Sequence, residues 1–285
     1  ELAALARPTI ALVNNAQREH QEFMSSVAEV AAEHADAITA LPPGGLAVLN
    51  ADDPHAHGWR ATAQRAGARS MTFGLDAPAD VGGRCTLHAI GSELDLVTPS
   101  GPLHVRLNVP GRHMARNALA ATAAALGAGA QLYAVAEGLA RFRAVPGRLV
   151  ATRAATGGVV LDDSYNANPD SMRAAIDVLA ASPGERWLAM GDMGEVGADG
   201  PAFHREIGAY ARACGVTTLY AAGELAREAV AAFGEGGRHF ASVDVLAARV
   251  ADELHEGVCL LVKGSRFMRM ERVVAAATGA AAGVH

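Results

Sequence analysis

A chain of 285 residues with 51% hydrophobic and 19% charged side chains is long enough for one or two cores and too apolar to stay disordered. Its net charge of −6 excludes the broad basic footprint of a general nucleic-acid binder. No apolar run reaches the length of a membrane span, and no signal peptide opens the sequence. Cys85, Cys214 and Cys259 lie far apart without a C-x-x-C pair. They fit a reducing, cytoplasmic setting as inert buried thiols.

Residues 8–13 (P-T-I-A-L-V) predict a short buried strand ending at Asn14-Asn15, followed by a helix over about 19–40. A strand over 45–50, a helix over 54–66 and a strand over 70–74 continue a βαβ rhythm, which predicts a parallel sheet. From 86 to 109 the pattern changes to three alternating runs, with turns expected at Gly91-Ser92 and at P-S-G-P over 99–102. These predict a small antiparallel meander. Two helices follow, from Pro110 to about Gly127 and over 131–142, and R-A-V-P-G-R over 143–148 marks the domain boundary. The expected domains are 1–147 and 148–285.

Beyond the boundary, strands are predicted at 159–161, 187–190, 217–221, near His239 and at 258–262. They alternate with helices at 169–181, 201–213, 224–233, 243–254 and 268–278. The fold class is therefore α/β: a parallel sheet with a small antiparallel extension, then a Rossmann-like, doubly wound domain. It lacks the G-x-G-x-x-G fingerprint of a tightly bound dinucleotide.

The polar residues cluster where these strands end. L-D-D-S-Y-N-A-N-P-D-S-M (161–172) and G-D-M-G-E-V-G (191–197) each follow an apolar run. Open α/β sheets bind ligands at that carboxyl edge. Asn168 is a good helix N-cap, Pro169 suits the first helical turn, and the N–H groups behind them favour an anion. Lys263, in L-V-K-G-S-R after a strand, is the only lysine of the chain. Asp192 and Glu195 have two readings: orienting or deprotonating an incoming ammonium group, or capping the helix that starts near Pro201.

Taken in order, V-P-G-R-L (145–149), D-D-S-Y-N-A-N-P-D-S-M, G-D-M-G-E-V-G and L-V-K-G-S-R resemble the carboxyl-terminal half of the Mur ligases, over about 8–274. The branch resembled adds D-alanyl-D-alanine to a UDP-N-acetylmuramoyl tripeptide, using ATP and Mg²⁺, during peptidoglycan precursor synthesis. The resemblance implies a cytoplasmic enzyme, monomeric when complete. It also implies residue roles. His20 matches a ligand of the nucleotide's Mg²⁺, and Asn117 in P-G-R-H-M-A-R-N matches the adenine-binding asparagine, although Met114 replaces another asparagine of that motif. Arg148 would reach the ATP phosphates when the domains close, and Asp163, or its neighbour Asp162, would contact ATP. Tyr165 stands where some relatives have lysine and would pack on the nucleotide. Asn166 and Asn168 would align the amine or the intermediate, while Lys263 or Ser265 would meet an anionic group such as the dipeptide carboxylate.

The sequence departs from the family in two places. Relatives carry an often carbamylated lysine where this register gives His34, leaving open whether His34, Glu33 or Asp36 serves instead. No G-x-x-x-x-G-K-[ST] phosphate loop occurs. The chain is thus expected to be a fragment beginning inside the ATPase domain, without its amino-terminal domain and inactive alone. Two other readings stand beside it: a different superfamily member, such as another Mur ligase or a folylpolyglutamate synthase, and a non-catalytic binding module.

Overall fold

The computed structural model describes residues 2–19, 21–88 and 91–279. It comprises two compact units, one of Glu1–Gln17 with Met24–Arg143 and one of Arg18–Phe23 with Ala144–His285. The change of unit at Arg143 and Ala144 falls just ahead of the expected boundary, and the short Arg18–Phe23 segment belongs to the carboxyl-terminal unit.

In the first unit a five-residue helix α1 (Leu2–Ala6) precedes a parallel sheet of β1 (Ile10–Val13), β2 (Leu46–Asn50) and β3 (Arg69–Phe73), in that order. Every residue of the central β2 is buried. Helices α2 (Val27–Thr39) and α3 (Ala56–Arg65) pack apolar residues such as Val30, Ile38 and Trp59 against Val13, Ala47 and Leu49. The buried Trp59 indole donates to the Ala31 carbonyl at 2.8 Å, so its one polar group is satisfied. An antiparallel meander follows: β4 (Gly82–His88), β5 (Gly91–Thr98) and β6 (Gly101–Leu107). Gly91 and Ser92 lie inside β5, paired with His88 and Leu87, rather than forming the expected turn. Helices α4 (Arg112–Gly127) and α5 (Leu132–Arg141) complete the unit. The end of α4 packs closely on β2: a Cβ on Gly127 would stand 2.2 Å from Leu46 Cδ2.

The expected helix over 19–40 is shorter. Ser26 caps α2 by accepting the Glu29 N–H at 3.2 Å, and residues 21–25 before it are not helical. The cause is tertiary. Arg18 is held by carboxylates far along the chain, which fixes its segment in a conformation that helix propensity does not favour.

The second unit holds a six-stranded sheet: β7 (Val150–Arg153), β8 (Val159–Asp163), β9 (Glu185–Gly191), β10 (Thr218–Ala222), β11 (Gly237–Phe240) and β12 (Val258–Lys263). Their spatial order is β11-β10-β9-β12-β8-β7, all parallel except the β7–β8 pair. β7 is an edge strand that the sequence pattern did not disclose. Side chains alternate across the sheet as a strand requires. Leu161, Leu188, Met190, Cys259 and Leu261 face α6 (Pro169–Ala180), α7 (Gly200–Ala213) and α8 (Ala226–Phe233). Val160, Trp187, Ala189, Leu260 and Val262 face α9 (Val243–Glu253) and α10 (Glu271–Thr278). Helices thus cover both faces of a doubly wound sheet. β12 lies between β9 and β8, so three carboxyl ends carrying Gly191, Lys263 and Asp163 stand side by side.

Candidate active site

At that edge the register decides which charges meet. Lys263 and Asp163 are Cα partners in the β12–β8 ladder. Counting by twos from Leu261 and Leu161 puts both side chains on the face covered by α6 to α8. Lys263 Nζ donates to Asp163 Oδ2 at 2.6 Å and to the Asn166 carbonyl at 2.8 Å. Asp163 Oδ1 accepts the Leu149 N–H at 3.2 Å. Burial pushes the Asp163 carboxyl above the usual carboxylate range, opposed by the Lys263 ammonium and the Leu149 N–H. Asp162 does a different job, accepting from Gly147 N–H at 3.1 Å and from the Ser164 hydroxyl at 2.6 Å. The neighbouring carboxylates therefore hold the V-P-G-R-L turn at two points, and only Asp163 touches the lysine.

The turn places Arg148 at the surface. Gly147 has φ 75°, and a Cβ there would come within 3.1 Å of Tyr165, so the close approach of the two loops suits glycine. The Arg148 guanidinium lies 4.4 Å from the centre of the exposed Tyr165 ring, and that of Arg266 lies 5.9 Å away. Such stacking orients a guanidinium without neutralising it. Asn166 is exposed, whereas Asn168 is the N-cap of α6, its Oδ1 accepting the Ser171 N–H at 2.7 Å in a reciprocal capping box. Asn168 thus has a structural duty that leaves its amide NH₂ for other partners.

Ser265 clamps two loops. Its hydroxyl accepts the Gly194 N–H at 2.6 Å and donates to the Ala167 carbonyl at 3.2 Å. Asp192 caps a helix, though not the one expected near Pro201: its carboxylate accepts the N–H groups of Leu225 at 3.3 Å and Ala226 at 2.7 Å, at the head of α8. Glu195 adopts φ 56°, and its carbonyl accepts the Glu22 N–H at 3.1 Å.

Two groups in this unit escaped the sequence reading. Arg18 Nε and Nη2 reach Asp170 at 3.0 and 2.6 Å, while Nη1 reaches Glu206 at 2.6 Å. Nothing local in A-Q-R-E-H discloses those partners. His204 is fully buried behind the 191–197 loop; a histidine on the apolar face of α7 was the only signal.

In the first unit Asn117 Oδ1 accepts the Asn14 Nδ2–H at 2.9 Å, joining α4 to the end of β1. His34 Nδ1 stands 3.0 Å from the Asn15 carbonyl. His34, Glu33 and Asp36 line one cleft of about 710 Å³ with Asn14, Asn15 and Leu12. Among the described residues no three His, Cys, Asp or Glu side chains form a metal-binding group. His20 lies outside the described residues. Arg116, also on α4, donates to Asp52 at 3.1 Å and to Asp76 at 2.7 Å. Burial works to raise Asp52, but the N–H groups of Leu75, Ala77 and Asp76, together with Arg116, outweigh it and hold the carboxyl below its ordinary value.

The cysteines are free thiols, with Cys259 buried and the other two half-buried. Among the described residues no helix is long and apolar enough to cross a membrane.

Residues 1–125 match the Mur ligase middle domain, and residues 147–266 match the Mur ligase glutamate ligase domain. The UDP-N-acetylmuramoyl-tripeptide–D-alanyl-D-alanine ligase of Escherichia coli K12 is 40% identical over 278 residues, covering 96% of this chain and 61% of that protein. The ligase of that name from Mycobacterium tuberculosis H37Rv is 35% identical over 240 residues, covering 78% of this chain and 45% of its own. A crystal structure of MurF from Acinetobacter baumannii superposes with a TM-score of 0.89 at 28% identity, over 97% of this chain and 61% of that one. The chain thus spans about three fifths of the Escherichia coli protein, and each of its two parts matches a domain of one kind of enzyme: it belongs to the Mur ligase family.

Proposed function

We propose that the chain supplies the ATP-handling and carboxyl-terminal parts of a ligase joining D-alanyl-D-alanine to UDP-N-acetylmuramoyl tripeptide. The observation that carries this reading is the 40% identity, along 96% of the chain, with the Escherichia coli ligase of that specificity. In the proposed reaction the γ-phosphoryl group of ATP passes to the tripeptide carboxylate, giving ADP and an acyl phosphate. The dipeptide amine then attacks the carbonyl carbon, the carbon–oxygen bond to phosphate breaks, and inorganic phosphate leaves as the nitrogen loses its proton. Anionic groups must be aligned and their charge offset, so fixed cations and hydrogen-bond donors dominate.

Arg148 suits the phosphates because its guanidinium is exposed, held against Tyr165 and free to present a bidentate fork. Asn117 takes the adenine edge, and Tyr165 flanks the nucleotide. Asn166, whose carbonyl is fixed by Lys263, presents its amide to the amine substrate, with Asn168 beside it at the head of α6. Lys263 and Asp163 serve this site mainly by fixing the loops around it, and Ser265 and Asp192 do the same for the 191–197 loop. Mg²⁺ would offset phosphate charge when bound. We propose His20 as its protein ligand, with phosphate and water filling the remaining positions.

The test is phosphate release with ATP, UDP-N-acetylmuramoyl tripeptide and D-alanyl-D-alanine, run on this chain and on a version extended upstream through a phosphate loop. Dipeptide-dependent release by the extended version is the expected result. Inactivity of both overturns the assignment in favour of a binding module. Release driven by a different amino acid points instead to another ligase of the superfamily.

A further inference from the structure

His204 sits on α7 with no solvent exposure. Its Nδ1 lies 2.7 Å from the Gly200 carbonyl, which can only accept, so Nδ1 carries the proton. Nε2 is therefore a lone-pair acceptor, and the Met193 N–H donates to it at 3.0 Å. The residues on either side of Met193 are pinned as well. The Asp192 carboxylate holds the first N–H groups of α8, the Asp192 carbonyl accepts the Ser265 N–H at 3.0 Å, and the Gly194 N–H goes to Ser265 Oγ. The loop is thus tied to α8, to α7 and to the end of β12 within three residues.

We propose that His204 is the positioning residue of the 191–197 loop: its neutral Nε2 holds the Met193 amide, and a proton on Nε2 releases it. A protonated ring would set one donor against another. The carboxylate oxygen Asp192 Oδ1 lies 3.9 Å from Nε2, and turning toward it would compete with the cap of α8. The charged groups facing the ring are Asp192 from the loop and Glu228 from α8; both favour the imidazolium. Burial opposes them and holds the pKa below its ordinary value, so the acceptor form prevails at neutral pH. The bearing of this pin on catalysis rests on the ligase reading, because the loop borders the proposed substrate edge. The pin itself does not.

Amide hydrogen exchange on this chain, with ¹⁵N spectra of the imidazole, tests the proposal. His204→Phe is expected to speed Met193 exchange roughly tenfold, the scale of one lost hydrogen bond, while Leu188 and Ala189 in β9 keep their protection. His204→Gln, whose side-chain oxygen can accept in place of Nε2, restores most of it. In the unaltered chain, Met193 exchange corrected for its intrinsic pH dependence rises as the His204 ring titrates. Unchanged Met193 protection in His204→Phe overturns the proposal, as does exchange indifferent to the ring's titration. Should His204→Phe fail to fold, the titration of the unaltered chain decides. Any of these failures leaves the ligase reading to phosphate release.

Discussion

Lys263 and Asp163 show how much one ion pair depends on its partner. The pair is largely buried, with side-chain exposures of 4% and 14%. Removing one member leaves the other charge without compensation, which costs far more than the pair contributes by itself. Lys263→Met is therefore expected to lower unfolding stability by about 3 kcal/mol. Adding Asp163→Leu recovers part of that loss, and urea unfolding of both variants measures the coupling. Lys263 stands out in the sequence by its single occurrence and its place after an apolar run. Its pairing with Asp163 does not, because the two residues are 100 positions apart and only the β12–β8 register joins them. The same register separates Asp163 from Asp162, which spacing alone left equivalent.

At the scale of the element, α6 was legible in full from its own residues. Asn168 and Pro169 carry the start signal, and the structure has the cap and the proline in those places. Because the capping interactions are local, Asn168→Ala is expected to cost about 1 kcal/mol, and Asn168→Asp much less. Thermal unfolding of the two variants gives the comparison. Helix α2 shows the opposite case. Ser26 with Glu29 is a readable start signal, but apolar spacing on both sides concealed it. What decides the matter is Arg18, whose carboxylate partners lie 152 and 188 residues away. Strand β7 was unreadable for a related reason: V-A-T-R is short and mostly exposed, and it becomes a strand by pairing with β8. The sequence leaves Asp192 between an ammonium-orienting role and a cap for the helix near Pro201; the helix it does cap, α8, lies beyond the whole of α7 and β10.

For the whole molecule, these groups set a two-stage response to acid. His204 has a folded pKa below the ordinary value of 6.5. The unfolded chain therefore binds the extra proton first, and stability falls as pH drops below about 6.5. The Arg18 side-chain bond, aided by Arg173, depresses Glu206 despite its burial. Burial works to raise Asp170, but bonds from the Arg18 side chain and N–H outweigh it. Their stabilisation is present above the ordinary values of 4.5 and 3.8 and is lost as pH falls through the depressed ones. Arg18→Met is expected to shrink this lower stage and leave the upper one, whereas His204→Gln removes the upper stage alone. Urea midpoints between pH 3 and pH 7 distinguish the two.

All but one of the 24 lysine and arginine side chains are arginines, and the exception, at the end of β12, is buried. The native surface therefore offers no lysine amine to acylating, carbamylating or glycating reagents. Its positive charge is carried by guanidinium groups, which stay charged far into the alkaline range. Above neutrality the surface therefore loses almost no positive charge from these side chains, and its cationic character outlasts that of a lysine-rich protein.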